Sequence, residues 1–144
     1  MTSFPKITLI AVGKVKKGWI REGLEVYRQR LPELEIVELK DTTPDKEGDQ
    51  ILAKVTSRDR LIALMEEGRT YSSTQFADFF RTADSGSLVF VIGGATGLSP
   101  AVKCSASHHL SLSPMTFPHE VARLLLLEQL YRAKTILQGS SYHK

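Results

Sequence analysis

The feature that most constrains this chain is a pair of short, almost uninterrupted apolar runs, each of which ends at glycine. Ile7–Val12 is followed by Gly13, and Leu88–Ile92 is followed by Gly93 and Gly94. An apolar run without alternation is typical of a strand that is covered on both faces, as strands of parallel sheets are. The sequence therefore predicts a parallel sheet in which Ile7–Val12 is central or nearly central.

Strand-like and helix-like patterns alternate along the rest of the chain. Further strands are predicted at residues 35–39, 60–65 and 109–113. Helices are predicted at residues 19–31, 49–55, from 72 to about 80, 100–105 and 119–138. This alternation is typical of βαβ units, so the expected fold class is α/β, a mostly parallel sheet with helices on both faces.

Short signals mark the ends of several elements. Ser72 and Gln75 have the spacing of a capping box, and Ser99 followed by Pro100 is a typical helix start. Pro118 suits the first turn of the last helix and Gly139 its C-terminal cap. These signals predict where three of the helices begin and where the last one ends.

Three other segments are predicted to connect elements. Residues 41–48, which contain Pro44, have the polar composition of a loop, and residues 66–69 are expected to turn the chain. Ser85 and Gly86 are expected to close the unit that precedes the Leu88–Ile92 run. No internal repeat interrupts this order.

Length and composition fit one compact domain. The chain has 144 residues, of which 42% are hydrophobic and 24% charged, a mixture that excludes collagen, coiled coil and wholesale disorder. Residues 1–144 are therefore expected to form a single domain. Cys104 is the only cysteine, which excludes an intrachain disulfide and favours the cytoplasm. No apolar run is long enough to span a bilayer, so no membrane partner is expected.

The loop from Gly93 to Pro100 follows the most strand-like run and precedes a helix. Ligands of open α/β sheets bind just beyond the carboxyl ends of strands, and glycines let the backbone approach a ligand closely. The spacing G-G-x-x-G is neither the Walker pattern nor G-x-G-x-x-G, which argues against ATP and NAD. The alternative is a tight strand-to-helix turn that binds nothing.

A second loop of this kind covers residues 113–118, again between a strand and a helix. Two such loops can converge on one crevice. Met115 and Phe117 could then form apolar walls for a flat ring while the backbone recognises its edge. The alternative is that both side chains belong to the core.

The last predicted helix and the tail raise the question of a partner. Leucines 124–127 occupy a full turn, so the helix is either central in the domain or part of a subunit interface. Glu128 and Arg132 are four residues apart and, taken alone, predict a surface ion pair. The polar tail, residues 138–144, is expected to be disordered unless a partner orders it. The four histidines lack the spacing of a metal site, so no metal is inferred.

Four stretches together resemble the ribosomal RNA large subunit methyltransferase H family, the 23S rRNA pseudouridine N3-methyltransferases of the SPOUT superfamily. They are residues 89–99 (VFVIGGATGLS), 110–119 (LSLSPMTFPH), 127–133 (LEQLYRA) and 142–144 (YHK). The resemblance implies an α/β domain whose C-terminal part forms a deep trefoil knot, one of the rare exceptions to unthreaded chains. It also implies a homodimer that acts on 23S ribosomal RNA, with assembled ribosomes as the expected substrate.

The resemblance further implies S-adenosyl-L-methionine as the cofactor. Carried onto matching positions, the binding residues are Leu64, Gly94, Ser113, Pro114, Met115, Thr116, Phe117 and Pro118. In this interpretation the two glycine and proline loops hold the cofactor between them.

For catalysis the resemblance points to His143, Tyr142 and Arg132. An imide nitrogen such as N3 of pseudouridine reacts only after losing its proton, and either His119 or His143 could accept it. We expect His143 near the target base, with Tyr142 and Arg132 orienting the nucleotide. His119, at a helix N-terminus, is expected to be structural and hydrogen-bonded to the adjacent loop.

Charge and two alternative functions complete the expectations. The net charge is only +3, but Lys14, Lys16, Lys17 and Arg21 cluster in one segment, which is expected to contact RNA phosphates. One alternative is a non-catalytic RNA-binding or ribosome-assembly factor on the same fold. Another is a phosphate-binding domain such as a flavin carrier, which would give the tail no role.

Overall fold

A computed structural model describes residues 4–81 and 87–143 of the chain. The strands are β1 (Ile7–Val12), β2 (Leu34–Leu39), β3 (Arg60–Arg69), β4 (Leu88–Ile92) and β5 (His108–Leu110). The helices are α1 (Gly18–Gln29), α2 (Pro44–Lys54), α3 (Ser73–Arg81), α4 (Pro100–Ser105) and α5 (His119–Leu137). Ser85 and Gly86, which were expected to close the α3 unit, lie outside the described residues.

The strands form one five-stranded sheet in the order β2-β1-β4-β3-β5, and every pair of neighbours is parallel. The expected α/β class and the near-central position of β1 are confirmed. The glycines that end β1 and β4 lie at the same edge of the sheet, because parallel strands all end on one side. That carboxyl edge carries both of the loops that the sequence singled out.

Two apolar layers cover the sheet, as predicted. Alternate residues of β1 and β4, such as Leu9 and Phe90, pack with α1, α3 and α5. Their neighbours, such as Ile10 and Val91, pack with α2 and α4 on the opposite face. Burial on both faces explains why these strands have no polar alternation.

Local signals placed several boundaries correctly. β1, β4 and α4 have the predicted bounds. Ser72 and Gln75 form the capping box, with N–H to oxygen distances of 2.9 and 3.1 Å. Ser99 caps α4, and Gly139 follows α5 with a φ of +71°.

Three predicted segments were wrong. The loop 41–48 ends early because Thr43 caps a helix whose first residue is Pro44, five residues before the predicted start. Residues 66–69 do not turn the chain but continue β3, with a register shift between Leu64 and Arg69 opposite β5. β5 itself is shorter than predicted, since it ends at Leu110.

Leucines 124–127 of α5 lie mostly inside the domain. Leu126 and Leu127 are fully buried, Leu124 packs beside Gly23 of α1, and Leu125 remains 38% exposed. Packing of α5 against both α1 and α3 accounts for three of the four leucines without a second subunit. Within the described ranges no helix is both long and apolar enough to cross a membrane.

Candidate functional site

Two loops at the carboxyl edge line a cavity of about 700 Å³ together with the last part of β3 and the start of α5. The two loops follow β4 and β5, so their predicted convergence is confirmed, and residues 64–67 of β3 form a further wall. Seven of the eight expected cofactor residues line the cavity, namely Leu64, Gly94, Ser113, Met115, Thr116, Phe117 and Pro118. Pro114 lies exposed in the same loop and does not line the cavity.

The glycine loop after β4 is a tight turn as well as a cavity wall. The N–H of Gly97 donates to the carbonyl of Gly94 at 3.0 Å, and Gly97 has a φ of +83°. A Cβ on Gly93 would lie 2.8 Å from the carbonyl carbon of Gly97, so any side chain there would force the turn open. A Cβ on Gly94 would instead meet Val12 at 3.2 Å, against the end of β1.

The wall formed by the second loop differs from a core segment. Met115 is 73% exposed and lines the cavity, so its assignment to the core is excluded. Charged groups stand at the same cavity, with Lys103 on α4 and Glu66 and Glu67 on the end of β3. The cavity therefore combines apolar walls with both signs of charge.

His119 also lines this cavity, at the N-terminus of α5. Its Nδ1 atom is buried and has no hydrogen-bond partner among the described residues. The expected hydrogen bond from His119 to the adjacent loop is therefore not made through this atom. A buried imidazole nitrogen without a partner is free for a bound molecule or water.

Glu120 holds the segment between β1 and α1, called here the basic loop because it contains Lys14, Lys16 and Lys17. Its carboxylate accepts hydrogen bonds from the backbone N–H groups of Lys16, at 2.8 Å, and Lys17, at 3.1 Å. The hydrogen bond from Lys17, followed by that from Lys16, lowers the pKa of Glu120 below its ordinary value. The side chains of Lys14, Lys16 and Lys17 are exposed.

Arg123, one helical turn later, ties α5 to the sheet. Its side chain is almost completely buried, and it donates to the carboxylate of Glu38 and, at 3.1 Å, to the carbonyl of Gly13. The Nε atom has no partner among the described residues. This one side chain joins the carboxyl ends of β1 and β2 to the helix that begins at the cavity.

A second polar cluster occupies the other end of α5. Glu128 accepts hydrogen bonds from Arg132, at 3.0 Å, and from the hydroxyl of Tyr142, at 2.8 Å. Arg132 donates in turn to Nδ1 of His143 at 2.9 Å. The three expected catalytic residues, Arg132, Tyr142 and His143, are thus brought together, with Glu128 at their centre.

The tail is held against its own helix, contrary to the expectation that only a partner would order it. Hydrogen bonds from Gly139 to Ile136 and from Ser140 to Thr135 close a Schellman motif that reverses the chain. The ring of Tyr142 then packs edge-on against Tyr131, with centroids 4.8 Å apart. The ion pair of Glu128 and Arg132 is therefore part of a network that orders the tail.

The surroundings of His143 and Tyr142 determine which of their atoms carry protons. An arginine only donates, so Nδ1 of His143 accepts from Arg132 and its neutral ring carries the proton on Nε2. Burial, followed by the hydrogen bond with Glu128, raises the pKa of Tyr142 far above its usual value. Within one chain this cluster presents donors and has no free basic nitrogen.

The cavity and the cluster do not meet within one chain. Ala122 lines the cavity, and Arg132 lies ten residues later on the same helix. At 1.5 Å per residue this is about 15 Å of helix. Glu128, at the centre of the cluster, lies six residues after Ala122, which is about 9 Å of helix, so the cavity and the cluster are separate sites within one chain.

The roles of Glu120 and Arg123 were not predicted from the sequence, and Glu128 was predicted only as part of a surface ion pair. Glu120 and Arg123 act on residues more than a hundred positions away, and Glu128 has its role only once the tail folds back. The one signal available in the sequence was a charged residue, Arg123, within the apolar pattern of α5. A charged side chain is seldom buried unless it has a partner, so this position indicates a buried pair. Among the described residues no cluster of three or more histidine, cysteine or acidic side chains is arranged for a metal.

Known proteins resemble this chain over its whole length. The family described as "Predicted SPOUT methyltransferase" matches residues 6–143. The ribosomal RNA large subunit methyltransferase H of Parasynechococcus marenigrum (strain WH8102) is 55% identical over 136 residues, 94% of each chain. That of Prochlorococcus marinus (strain NATL2A) is 49% identical over 144 residues, 100% of this chain and 99% of its own.

Two solved structures share the fold at low identity. A probable methylase family protein from Haemophilus influenzae Rd KW20 has a TM-score of 0.58 and 12% identity, over 96% of this chain and 70% of its own. The SpoU methyltransferase AviRb from Streptomyces viridochromogenes, solved with AdoMet, has a TM-score of 0.53 and 13% identity, over 92% and 59%. The family match and the relatives at high identity show that the chain belongs to the SPOUT methyltransferases and, within them, to the ribosomal RNA large subunit methyltransferase H family.

Proposed function

We propose that this protein transfers a methyl group from S-adenosylmethionine to N3 of a pseudouridine in 23S ribosomal RNA. The observation that carries the proposal is the convergence of two loops and the end of β3 on one cavity in a chain of this family. The enzyme acts in the cytoplasm on assembled ribosomes, and residues 1–144 work as one domain. Its active unit is a homodimer.

The cavity residues fit S-adenosylmethionine. The cavity has a volume of about 700 Å³, which lies in the range of small-molecule sites, roughly 300–1,000 Å³. Leu64 and Phe117 offer apolar surface to a flat ring, while Lys103 and the pair Glu66 and Glu67 offer opposite charges to a carboxylate and an ammonium. A ligand with both an aromatic base and an amino-acid end matches this lining.

The reaction requires a nucleophilic nitrogen placed in line with a methyl group. When bound, S-adenosylmethionine supplies that methyl on a positively charged sulfur, which takes back the electron pair as the carbon–sulfur bond breaks. N3 of pseudouridine must first lose its proton, and the resulting negative charge spreads over two carbonyl oxygens. The chain's own residues must stabilise that charge.

The cluster at the end of α5 suits this task. Arg132 is a permanent cation and His143 offers an Nε2–H donor, so together they can stabilise the anionic base while water carries the N3 proton away. Tyr142 stays protonated and orients the nucleotide with its ring and hydroxyl. In this mechanism His143 acts as a donor, because Arg132 already occupies the nitrogen that would accept a proton.

A second subunit is needed to bring the cluster to the cavity. Within one chain, about 9 Å of helix separates Ala122 at the cavity from Glu128 and about 15 Å separates it from Arg132, whereas methyl transfer requires contact between the reacting atoms. In the proposed homodimer the α5 end and tail of one protomer face the cavity of its partner. Leu125, which is exposed on α5, lies on the surface available for such contact.

We also propose that the chain is knotted where it leaves β5. The segment lies close against the end of β3, since the backbone N–H of Ser111 donates to the carbonyl of Arg69 at 2.9 Å and a Cβ on Gly68 would lie 2.7 Å from His109. It then crosses to α5, which packs against both α1 and α3. Pulling the chain by its ends checks this, because a knotted chain extends to less than its full contour length.

The basic loop supplies the RNA contact in this proposal. Lys16 and Lys17 are exposed beside the cavity, and removing one phosphate contact should reduce the log–log salt dependence of RNA binding by roughly 0.7–0.9. Reversing both charges should therefore weaken binding and flatten its salt slope, measured with ribosomal particles over a range of salt. An unchanged slope would remove this loop from the RNA contact.

Binding and transfer assays test the proposed function. Calorimetry with S-adenosylmethionine, and in parallel with flavin mononucleotide, separates a methyltransferase from a flavin carrier. Transfer of labelled methyl to ribosomes that lack the modification, with the product nucleoside identified by mass spectrometry, tests the reaction and the position N3. RNA binding without methyl transfer would instead support a non-catalytic assembly factor.

A further inference from the structure

One large aromatic side chain stands outside the packing of the domain. Trp19, in the first turn of α1, is 62% exposed, whereas the next residue, Ile20, is fully buried. It is the only tryptophan in the chain. Tryptophan is enriched at interfaces, where a partner covers its ring.

The surroundings of Trp19 are basic. Lys14, Lys16 and Lys17 precede it with exposed side chains, and Arg21 follows, with its guanidinium donating to the carbonyl of Val15 at 2.9 Å. An aromatic ring flanked by cations is the usual composition of a surface that binds single-stranded nucleic acid. Charge complementarity therefore favours RNA as the molecule that covers the ring.

The segment before Trp19 is anchored to the helix that begins at the cavity. Lys17 is hydrogen-bonded to Glu120, whose neighbour His119 lines the cavity wall. Two Cα–Cα steps separate Lys17 from Trp19, so their Cα atoms lie no more than about 8 Å apart. The position is suited to a nucleotide near the one that reacts.

We propose that Trp19 stacks on an unpaired nucleobase of the RNA substrate, beside the target nucleotide, while Lys16 and Lys17 contact the adjoining phosphates. This inference rests on the proposed function and adds to it a positioning contact for single-stranded RNA. Stacking suits such a contact because every base has a π-face, and an unstacked loop exposes it. The indole then selects unpaired RNA over duplex.

A second copy of the chain is the competing occupant. Val26, two turns along the same face of α1, is 46% exposed, and a contact between copies would cover both residues. RNA stacking involves Trp19 and leaves Val26 free. Val26→Ala is therefore the matched control on the same helix face.

Fluorescence reads this contact directly, because the chain has a single tryptophan. Adding short single-stranded oligouridine at low salt should quench the emission saturably, and high salt should restore it. Trp19→Leu should bind the oligonucleotide roughly 5- to 150-fold more weakly, Trp19→Phe should keep part of the affinity, and Val26→Ala should bind normally. RNA that binds without quenching, or equally well to Trp19→Leu, overturns the inference.

Methyl transfer separates this inference from the proposed function. With ribosomal particles, Trp19→Leu should raise KM by a similar factor while kcat and the Kd for S-adenosylmethionine stay unchanged. If the wild-type protein transfers methyl and the variant has the same KM, stacking is wrong and the function stands. If the wild-type protein transfers none, the function fails and quenching alone decides. A blue-shifted emission that reddens on dilution, with a mass change in both Trp19→Leu and Val26→Ala, would assign Trp19 to a contact between copies.

Discussion

The two ends of α5 are built in opposite ways. At its amino end, Nδ1 of His119, which lines the cavity, is buried with no partner among the described residues. At its other end, Glu128, Arg132 and Tyr142 are joined by short hydrogen bonds that also include His143. The cavity wall thus holds a polar atom without a partner, whereas the cluster has paired its polar groups.

This difference separates a site that receives a ligand from one that keeps its shape. A buried polar group without a partner costs about 1–3 kcal/mol, so a cavity that retains one gains when a ligand supplies the bond. A paired network gains nothing more from a ligand but holds its donors in fixed directions. The cavity end thus suits cofactor binding, and the cluster end suits orientation of the substrate.

The strongest test of the comparison is to destroy each region in a different subunit. Gly94→Val pushes the glycine loop against Val12 and should prevent cofactor binding, and His143→Ala removes a donor of the cluster. Each variant alone should be nearly inactive. If one protomer's cluster serves its partner's cavity, mixed dimers contain one intact site and recover up to about half of the wild-type activity.

Re-equilibrated mixtures should be assayed for methylation of ribosomal RNA, with mixed dimers confirmed by mass spectrometry. Mixed dimers without any recovery would mean that the tail serves the cavity of its own protomer. That result would require the tail to leave α5.

Substitutions at His143 sharpen the contrast between a donor and a base. His143→Ala should lower kcat about 10²–10³-fold, the usual effect of removing one donor to a developing negative charge. Glutamine places an amide N–H near the position of Nε2, so His143→Gln should restore most of the activity. Single-turnover methyl transfer measures both, and equal inactivity of the two variants would favour proton abstraction by the imidazole.

At the cavity end, the prediction concerns backbone shape. Gly93→Ala places a methyl group 2.8 Å from the carbonyl carbon of Gly97 and should weaken S-adenosylmethionine binding about 100-fold by displacing the loop. Gly18→Ala is the control, since a Cβ there meets nothing within 4 Å. Calorimetry on both variants distinguishes them, and wild-type affinity in Gly93→Ala would show that this turn does not shape the site.

The smallest expected effect concerns Glu120 and pH. Its pKa is lowered, so its stabilisation of the basic loop is fully present above the ordinary glutamate pKa of about 4.3. That stabilisation disappears as the pH falls through the lowered value. Glu120→Gln should melt slightly below the wild-type protein near neutral pH, and the gap should close in acid. The exposed Glu22→Gln is the control, and a gap independent of pH would assign the effect to packing.

Patterns local in sequence predicted the frame of the molecule. β1 and β4 were found because burial on both faces leaves an apolar run, and α4 because Ser99 and Pro100 are a complete start signal. The start of α2 was missed because Pro44 interrupts a helix in most positions but is tolerated at the first one. The length of β3 was not predicted because Gly68 resembles a turn residue. In the structure it lies within β3, where the absence of a side chain lets β5 approach closely.

In the candidate site, too, one part could be predicted from local sequence patterns and another could not. Convergence of the loops followed from the rule that parallel strands end at one edge, so the cavity was predictable from the sequence. The order of the tail was not, because it depends on Glu128 and Tyr142 meeting after a Schellman reversal at Gly139. An ion pair four residues apart looks the same in a sequence whether or not a third residue joins it.

The helical phase of α5 has a consequence for the length of the chain. Every residue added or removed between Ala122 and Glu128 would turn the tail cluster by about 100° about the helix axis and move it 1.5 Å along it. In a symmetric dimer both clusters would rotate away from both cavities at once. Single-residue insertions should therefore abolish activity in this stretch and be tolerated in the exposed 56–58 loop, so that α5 acts as a spacer whose length cannot vary.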